Sequence, residues 1–519
     1  MSVDWDTLLR AAGIVLAALL AGYVINRLLR SLSRRARLRR DKLVARIVDV
    51  VAPPASIALP LALLAIASGL LPLPSDWLAS VRHALGIGVM LCLTWLGVRA
   101  VGAIALTAAV MNIIVGGGIF RMPSALSAQV GAAAPLALIA GALAIVPIAL
   151  CFAAVGSRVQ VTGGPYSYLA ATFGPFAGFV AGALMWISNF TSSAGVAAAL
   201  ALQVAALLPV FDAPVPRALL LSGVYLALFA LNAFGVKLGA RAIMALAALK
   251  LTPLFALAAL GLWFVDWSQV SFAFAAVPDW GAFGASMALV MFAYSGMETA
   301  LIPSGEVQDP ARNVPRATLV AILLVVLLYL GLQVVGQGVL GAALGTSGVP
   351  VADTAAALWT PGRTALLVTA CISMAGFLMG NLLGTSRLVF ALGRDGYLPA
   401  AFGAVSPRHR VPLLALAAHA ALAWALSLLG TFDVLALISG GAICLVYALV
   451  ALAAWRAQKR DLRERGTPFR LPLGATIPLL ALAAMVAIVA TLSAREWLAI
   501  GVALAVLGVV YAVLAARRR

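Results

Sequence analysis

Three features of this chain have residue types that could do chemistry, and each lies inside an apolar run. The first is Val115-Gly116-Gly117-Gly118-Ile119-Phe120, with three consecutive glycines. A glycine costs roughly 1 kcal/mol relative to alanine in a helix interior, and without a Cβ the backbone can unwind and a ligand can come close. Glycines that pack membrane helices together are commonly spaced by four; these are adjacent, which favours unwinding. The second is Phe292-Ala293-Tyr294-Ser295-Gly296-Met297-Glu298-Thr299, where a Ser-Gly pair and a carboxyl interrupt an apolar stretch. Charge in hydrocarbon is costly and usually marks function. Glu298 either contacts substrate or braces the interrupted helix. The third is Lys250 in Ala248-Leu249-Lys250-Leu251-Thr252-Pro253, about 13 Å beyond Arg241 at ~1.5 Å per residue. Its amine either snorkels to the interface or is buried and exchanges a proton.

Two interrupted helices of this kind suit one kind of ligand. The exposed N–H groups of one half-helix would hold an anionic group such as a carboxylate, and the freed carbonyls of another would hold an ammonium. The candidate substrate residues are therefore Val115, Gly116, Gly117, Gly118, Ile119, Ala293, Tyr294, Ser295, Gly296 and Glu298. Trp186, Ser188 and Asn189 are weaker candidates for lining the same cavity. The four cysteines (Cys92, Cys151, Cys371, Cys444) lie far apart in apolar runs, and the three histidines (His83, His409, His419) show no ligand spacing. No nucleophile–base pair, P-loop or metal motif points to an enzyme or an ATP-driven pump, and no cofactor or metal is expected.

The elements that must position these residues are membrane-spanning helices. Of 519 residues, 64% are apolar and only 10% charged, with a mean hydropathy of +1.09. Apolar runs of about 20 residues, each long enough for a ~30 Å hydrocarbon core, recur throughout. In lipid the backbone must satisfy itself, so these runs are helices. Beyond residue 104 the pattern predicts helices at 104–128, 131–156, 170–207, 217–236, 238–264, 281–303, 316–341, 362–390, 411–430, 434–455, 472–491 and 496–515. The two interruptions then fall in the first and sixth of these, the signature of a five-plus-five inverted repeat with substrate held between the breaks near the midplane.

The formal charge of +18 is explained by topology rather than by nucleic acid. If each helix crosses once, Arg158, Lys237, Arg241, Arg312, Arg316, Arg387, Arg394, Arg408, Arg410, the basic cluster at 456–470 and Arg517–Arg519 share one side, the cytoplasmic one by the positive-inside rule. Asp212, Asp266, Asp279, Asp353 and Asp433 fall on the other, with Arg121, Arg217, Arg363 and Arg495 as the basic exceptions. The N-terminus is expected outside and the C-terminus in the cytoplasm, in a bacterial inner membrane.

Residues 104–515 resemble the amino acid–polyamine–organocation superfamily of permeases. The resemblance rests on Gly116–Phe120 in the first helix, Thr162-Gly-Gly-Pro-Tyr-Ser-Tyr168 before the third, and Tyr294–Glu298 with Gly305-Glu-Val-Gln-Asp-Pro-Ala-Arg-Asn-Val-Pro-Arg316 at and after the sixth. Ser386-Arg387 with Gly393-Arg-Asp-Gly-Tyr-Leu-Pro399 ends the eighth. It implies an all-α, twelve-helix secondary transporter of amino acids or related amines, working by symport or exchange. Some members carry a lysine at the place of Lys250 instead of a sodium ion, which implies proton coupling with Ser373 nearby. Glu306, Asp309 and Arg312 are expected in a cytoplasmic network that stabilises or gates, as is Arg387.

Residues 1–103 are expected to form a separate module of about three extra helices. An arginine-rich loop at 27–46, Arg40-Asp-Lys-Leu-Val44 and the Pro-containing turn at 72–74 resemble the leading helices of small-conductance mechanosensitive channels. A channel or channel remnant, and a nontransporting solute sensor on a transporter fold, stand as alternatives.

Overall fold

The computed structural model describes residues 105–517 together with residue 60, leaving out 160–162, 235–239, 274–275, 301–309, 408–409, 463–467, 472 and 492–493. Apart from residue 60, the leading module lies outside the described residues, as do Glu306 and Asp309. Two compact units are distinguished, residues 1–105 with 240–256 and residues 106–239 with 257–519. The second holds both interrupted helices.

Among the described residues the secondary structure is helical throughout, without strands. The helices are α1 (Ala105–Ile114), α2 (Gly118–Val130), α3 (Ala134–Gly156), α4 (Pro165–Phe173), α5 (Pro175–Leu207), α6 (Pro214–Ala233), α7 (Ala240–Leu260), α8 (Trp280–Tyr294), α9 (Met297–Ala300), α10 (Pro310–Leu340), α11 (Pro350–Leu358), α12 (Gly362–Arg394), α13 (Leu413–Leu429), α14 (Phe432–Lys459), α15 (Thr476–Ala490) and α16 (Ala494–Arg517). Six helical stretches among the described residues are long and apolar enough to cross a membrane, including Pro175–Leu207, Gly362–Arg394 and Phe432–Lys459.

Several expectations differ; helix α10, expected from 316, starts at Pro310. The run at 170–207 is two helices, because Gly174 adopts φ +98° immediately before Pro175 and ends α4 there. Helix α11 was not expected. Its nine residues are too short to cross a bilayer, and Pro350 at its first turn makes the stretch read as loop while supplying a helix-compatible φ.

In the second unit α5 packs against both α12 and α14, and α3 packs against α10, α14 and α15. Helix α8 sits among α2, α3 and α14. Glycines such as Gly141, Gly195 and Gly440 sit where these helices approach closely, and the buried core is mostly apolar with a minority of Ser, Thr, Asn and Gln.

Both faces of the bundle are tied by polar contacts. Arg158, fully buried beyond the end of α3, donates from Nη1 to the carbonyls of Ala154 (2.7 Å) and Phe469 (2.6 Å). The neighbouring Ser157 hydroxyl accepts the Phe469 N–H at 2.9 Å, so the connector after α14 is held to α3. Two of the motifs singled out in the sequence meet nearby: the Tyr166 hydroxyl donates to the Asp395 carboxylate, and Tyr397 donates to the Pro175 carbonyl at 3.2 Å. Three of the four basic exceptions to the charge pattern pair with aspartates assigned to their own side: Arg217 with Asp212 (2.7 Å), Arg363 with Asp353 (3.2 Å) and Arg121 with Asp433 (3.7 Å).

Candidate functional site

The glycine run does interrupt its helix. Helix α1 stops at Ile114 and α2 starts at Gly118. Close approach explains why the interruption is built of glycine. A Cβ on Gly116 would stand 2.5 Å from the Phe377 ring, and one on Gly117 would stand 2.5 Å from Val196 Cγ1. Phe377 lies on α12 and Val196 on α5, so the unwound segment is pinched between two long helices.

The Ser-Gly pair interrupts the other helix. Helix α8 ends at Tyr294, and Ser295 turns into extended backbone at φ −71°, ψ 164°. Gly296 then takes φ +120°, a region that favours glycine. A Cβ there would also stand 3.2 Å from the backbone N and Cα of Ile114. The two interruptions therefore touch. They touch again where the space for a Cβ on Gly118 is bounded by Ala293 Cα at 3.5 Å.

The backbone groups at the crossing are satisfied unequally. On the α1 side, the Ile114 carbonyl accepts from the Gly116 N–H (2.8 Å) and from the Tyr329 hydroxyl (3.0 Å). The Ser373 hydroxyl lies 3.1 Å from the Val115 carbonyl and 3.0 Å from that of Gly116. On the α2 side the N-cap is Gly117, which has no side chain to cap with; the Phe120 N–H turns back to the Gly117 carbonyl at 3.2 Å, and the N–H groups of Gly118 and Ile119 have no backbone partner among the described residues. At the second interruption the pattern is reversed. Glu298 folds back so that Oε1 accepts the Gly296 N–H (2.9 Å), while Oε2 accepts the Tyr447 hydroxyl (2.7 Å). The Phe292 carbonyl accepts from Ser295 through both N–H (3.2 Å) and hydroxyl (2.7 Å). The carbonyls of Ala293 and Tyr294 belong to a last turn with no helix beyond it to donate to them. The N-terminus of α2 and the C-terminus of α8 thus meet, presenting partial positive and partial negative charge side by side.

All ten substrate candidates lie at these interruptions. Glu298 takes the bracing arrangement, its two oxygens engaged by protein donors. Ser373 reaches the first interruption through hydroxyl-to-carbonyl contacts. Ser188 pairs with Ser439 of α14 (3.0 Å), and the Asn189 side-chain oxygen accepts from Thr299 (3.2 Å). Trp186 packs edge-on against Phe190. Lys250 is 1% exposed on α7, in the first unit. Arg387 is half-buried on α12, and Arg312 falls in the first turn of α10.

Sequence reasoning missed Tyr329, Gln333, Tyr447, Phe377 and Val196. Tyr329 and Gln333 left a faint signal, two polar-tipped side chains at helical spacing on the apolar face of 316–341. Phe377 and Val196 left none.

A bundle of membrane-crossing helices whose polar backbone converges at two adjoining interruptions is a transporter architecture. A family model described as amino acid permease matches residues 101–516, and the chain belongs to that family, within the amino acid–polyamine–organocation superfamily. It is an integral, multi-pass membrane protein. Its relatives are transporters. The serine/threonine exchanger SteT of Bacillus subtilis (strain 168) is 27% identical over 394 residues, 74% of this chain and 89% of the relative. The branched-chain amino acid permease BcaP of the same organism is 26% identical over 416 residues, 74% of this chain and 86% of the relative. The methylthioribose transporter of that organism is 27% identical over 338 residues, 60% of this chain and 71% of the relative.

Proposed function

We propose that the chain is a secondary active transporter of amino acids or related amines, with the substrate's charged main chain held where the two interruptions cross. The observation that carries this is the complementary pair of helix ends: the N-terminus of α2 takes the carboxylate, and the C-terminus of α8 takes the ammonium. The contacts at Gly118–Ala293 and Gly296–Ile114 bring these ends within reach of one zwitterion. The relatives named above carry serine or threonine, branched-chain amino acids and methylthioribose by their names. That spread fits a shared main-chain site with side-chain choice made elsewhere in the cavity.

In this reading, residues 104–515 form a twelve-helix core of two inverted five-helix repeats, each opening on an interrupted helix. Residues 1–103 form a separate leading membrane module. The family match beginning at residue 101 supports that division. The C-terminus is cytoplasmic in a bacterial inner membrane, a reading supported by the concentration of basic residues on one set of loops. Lys250 carries the coupling proton, a role supported by its burial in an apolar helix. Glu306, Arg312 and Arg387 stabilise or gate the cytoplasmic side.

The test is uptake into proteoliposomes of a labelled panel of amino acids and polyamines, under imposed pH or sodium gradients. Saturable uptake of at least one α-amino acid or amine, driven by a pH gradient and abolished in Lys250→Ala, is expected. A flat response across the panel refutes the transport assignment. PH-driven uptake that survives Lys250→Ala refutes only the coupling role.

A further inference from the structure

An interrupted helix has no hydrogen-bond ladder across its gap, so something outside it must fix the angle and offset between its halves. Helix α10 touches both. Tyr329, fully buried, donates its hydroxyl to the carbonyl of Ile114, the last residue of α1, at 3.0 Å. One turn along the same face, the buried Gln333 donates from Nε2 to the Pro123 carbonyl of α2 at 3.4 Å. The Tyr329 ring also stacks on that of Tyr294, the last residue of α8, with centroids 5.7 Å apart and planes 12° apart. One helix face thus grips the first interrupted helix on either side of its gap and leans on the end of the second.

We propose that Tyr329 and Gln333 are positioning residues for substrate recognition, with α10 acting as a splint that keeps the first-turn N–H groups of α2 aimed at the substrate carboxylate. This rests on the transport reading above. The physical reason is directional. Hydrogen bonds to a carboxylate from several backbone N–H groups must converge, and they weaken steeply as the donor angle falls. A tilt of α2 relative to α1 spoils that convergence. The ammonium, held at the end of α8, depends on other geometry. The splint therefore acts on one end of the substrate more than the other, which a general packing role would not do.

The test uses the full chain in proteoliposomes. The probe is an equimolar mixture of the twenty standard L-amino acids, isotopically labelled and resolved by mass. The competitor is the α-amide of the amino acid that enters fastest, which keeps the ammonium and loses the carboxylate. Tyr329→Phe keeps the ring stack and removes one hydrogen bond. It is expected to raise the half-saturation concentration of the acid about five- to tenfold. Maximal rate and inhibition by the amide should each stay within about twofold. Gln333→Leu is expected to show the same pattern, about two- to threefold, in keeping with its longer bond. Melting temperatures in detergent identify any variant that fails to fold, and the other variant then decides. If acid and amide weaken together, or the maximal rate falls with half-saturation unchanged, the two residues serve packing alone and the proposal is overturned. Wild-type behaviour of both variants overturns it as well, while wild-type uptake leaves the transport reading standing. Absence of uptake by the wild type refutes the transport reading, and the splint with it.

Discussion

At the first interruption three adjacent glycines let α1 stop and α2 begin, and hydroxyls borrowed from α10 and α12 take up the carbonyl side. At the second, one glycine at φ +120° makes the turn, and the N–H side is taken up by Glu298 two residues on. The first break is propped by side chains distant in sequence; the second carries its own prop, steadied by Tyr447. The side-chain props thus fall mainly on the carbonyl side of the first break and on the N–H side of the second. In hydrocarbon an unpartnered backbone group costs several kcal/mol, so only groups with a use should be left without protein partners. Under the proposed transport reading, the N–H groups at the start of α2 are the ones left for substrate.

The comparison is most easily broken at the glycines. Gly296→Ala meets an unfavourable φ and a backbone neighbour at 3.2 Å, neither of which a side chain can relieve. Uptake should fall at least about a hundredfold, on ~3 kcal/mol of combined strain, and no second-site trimming should restore it. Gly117→Ala meets only the side chain of Val196. Its loss should be about tenfold or more, and Val196→Ala in the same chain should recover most of it. Recovery at 296, or its failure at 117, would erase the distinction drawn between the two breaks.

Smaller effects sharpen the contrast. Glu298→Ala strips partners from both the Gly296 N–H and the Tyr447 hydroxyl, at about 1–3 kcal/mol for each buried group. Thermal unfolding in detergent should show a clear destabilisation, with Tyr447→Phe losing less. Ser373→Ala removes a hydroxyl shared between two carbonyls. Hydrogen bonds between membrane helices average about 0.6 kcal/mol, so a roughly threefold rise in half-saturation is expected with unfolding temperature nearly unchanged. Arg217→Ala breaks an exposed ion pair with Asp212, worth about 0–1 kcal/mol, and uptake should change by less than about twofold. A large effect there would show that the Arg217 face, not the crossing, governs transport.

Much of the fold and part of the site were legible in the sequence. The apolar runs give the helices because length and hydropathy decide what can cross a bilayer. Both interruptions are legible because adjacent glycines and a carboxyl are anomalous in hydrocarbon. The kink at Gly174 and the short α11 were not, since Gly-Pro and Val-Pro pairs serve helix starts as readily as loops. The roles of Ser373 and Tyr447 were not legible either. Ser373 bonds Gly116 from 257 residues away, and Tyr447 bonds Glu298 from 149 residues away.

By itself, the sequence determined that this chain lives in the membrane, where its helices lie and at which residues two of them must open. Composition and local backbone preference suffice for that, because both act within a few residues. The tertiary structure alone decided that the two openings touch, that Glu298 braces its own break, and that Tyr329 and Gln333 span the other. Those depend on which helices become neighbours, and packing between segments hundreds of residues apart leaves no local trace in a uniformly apolar chain.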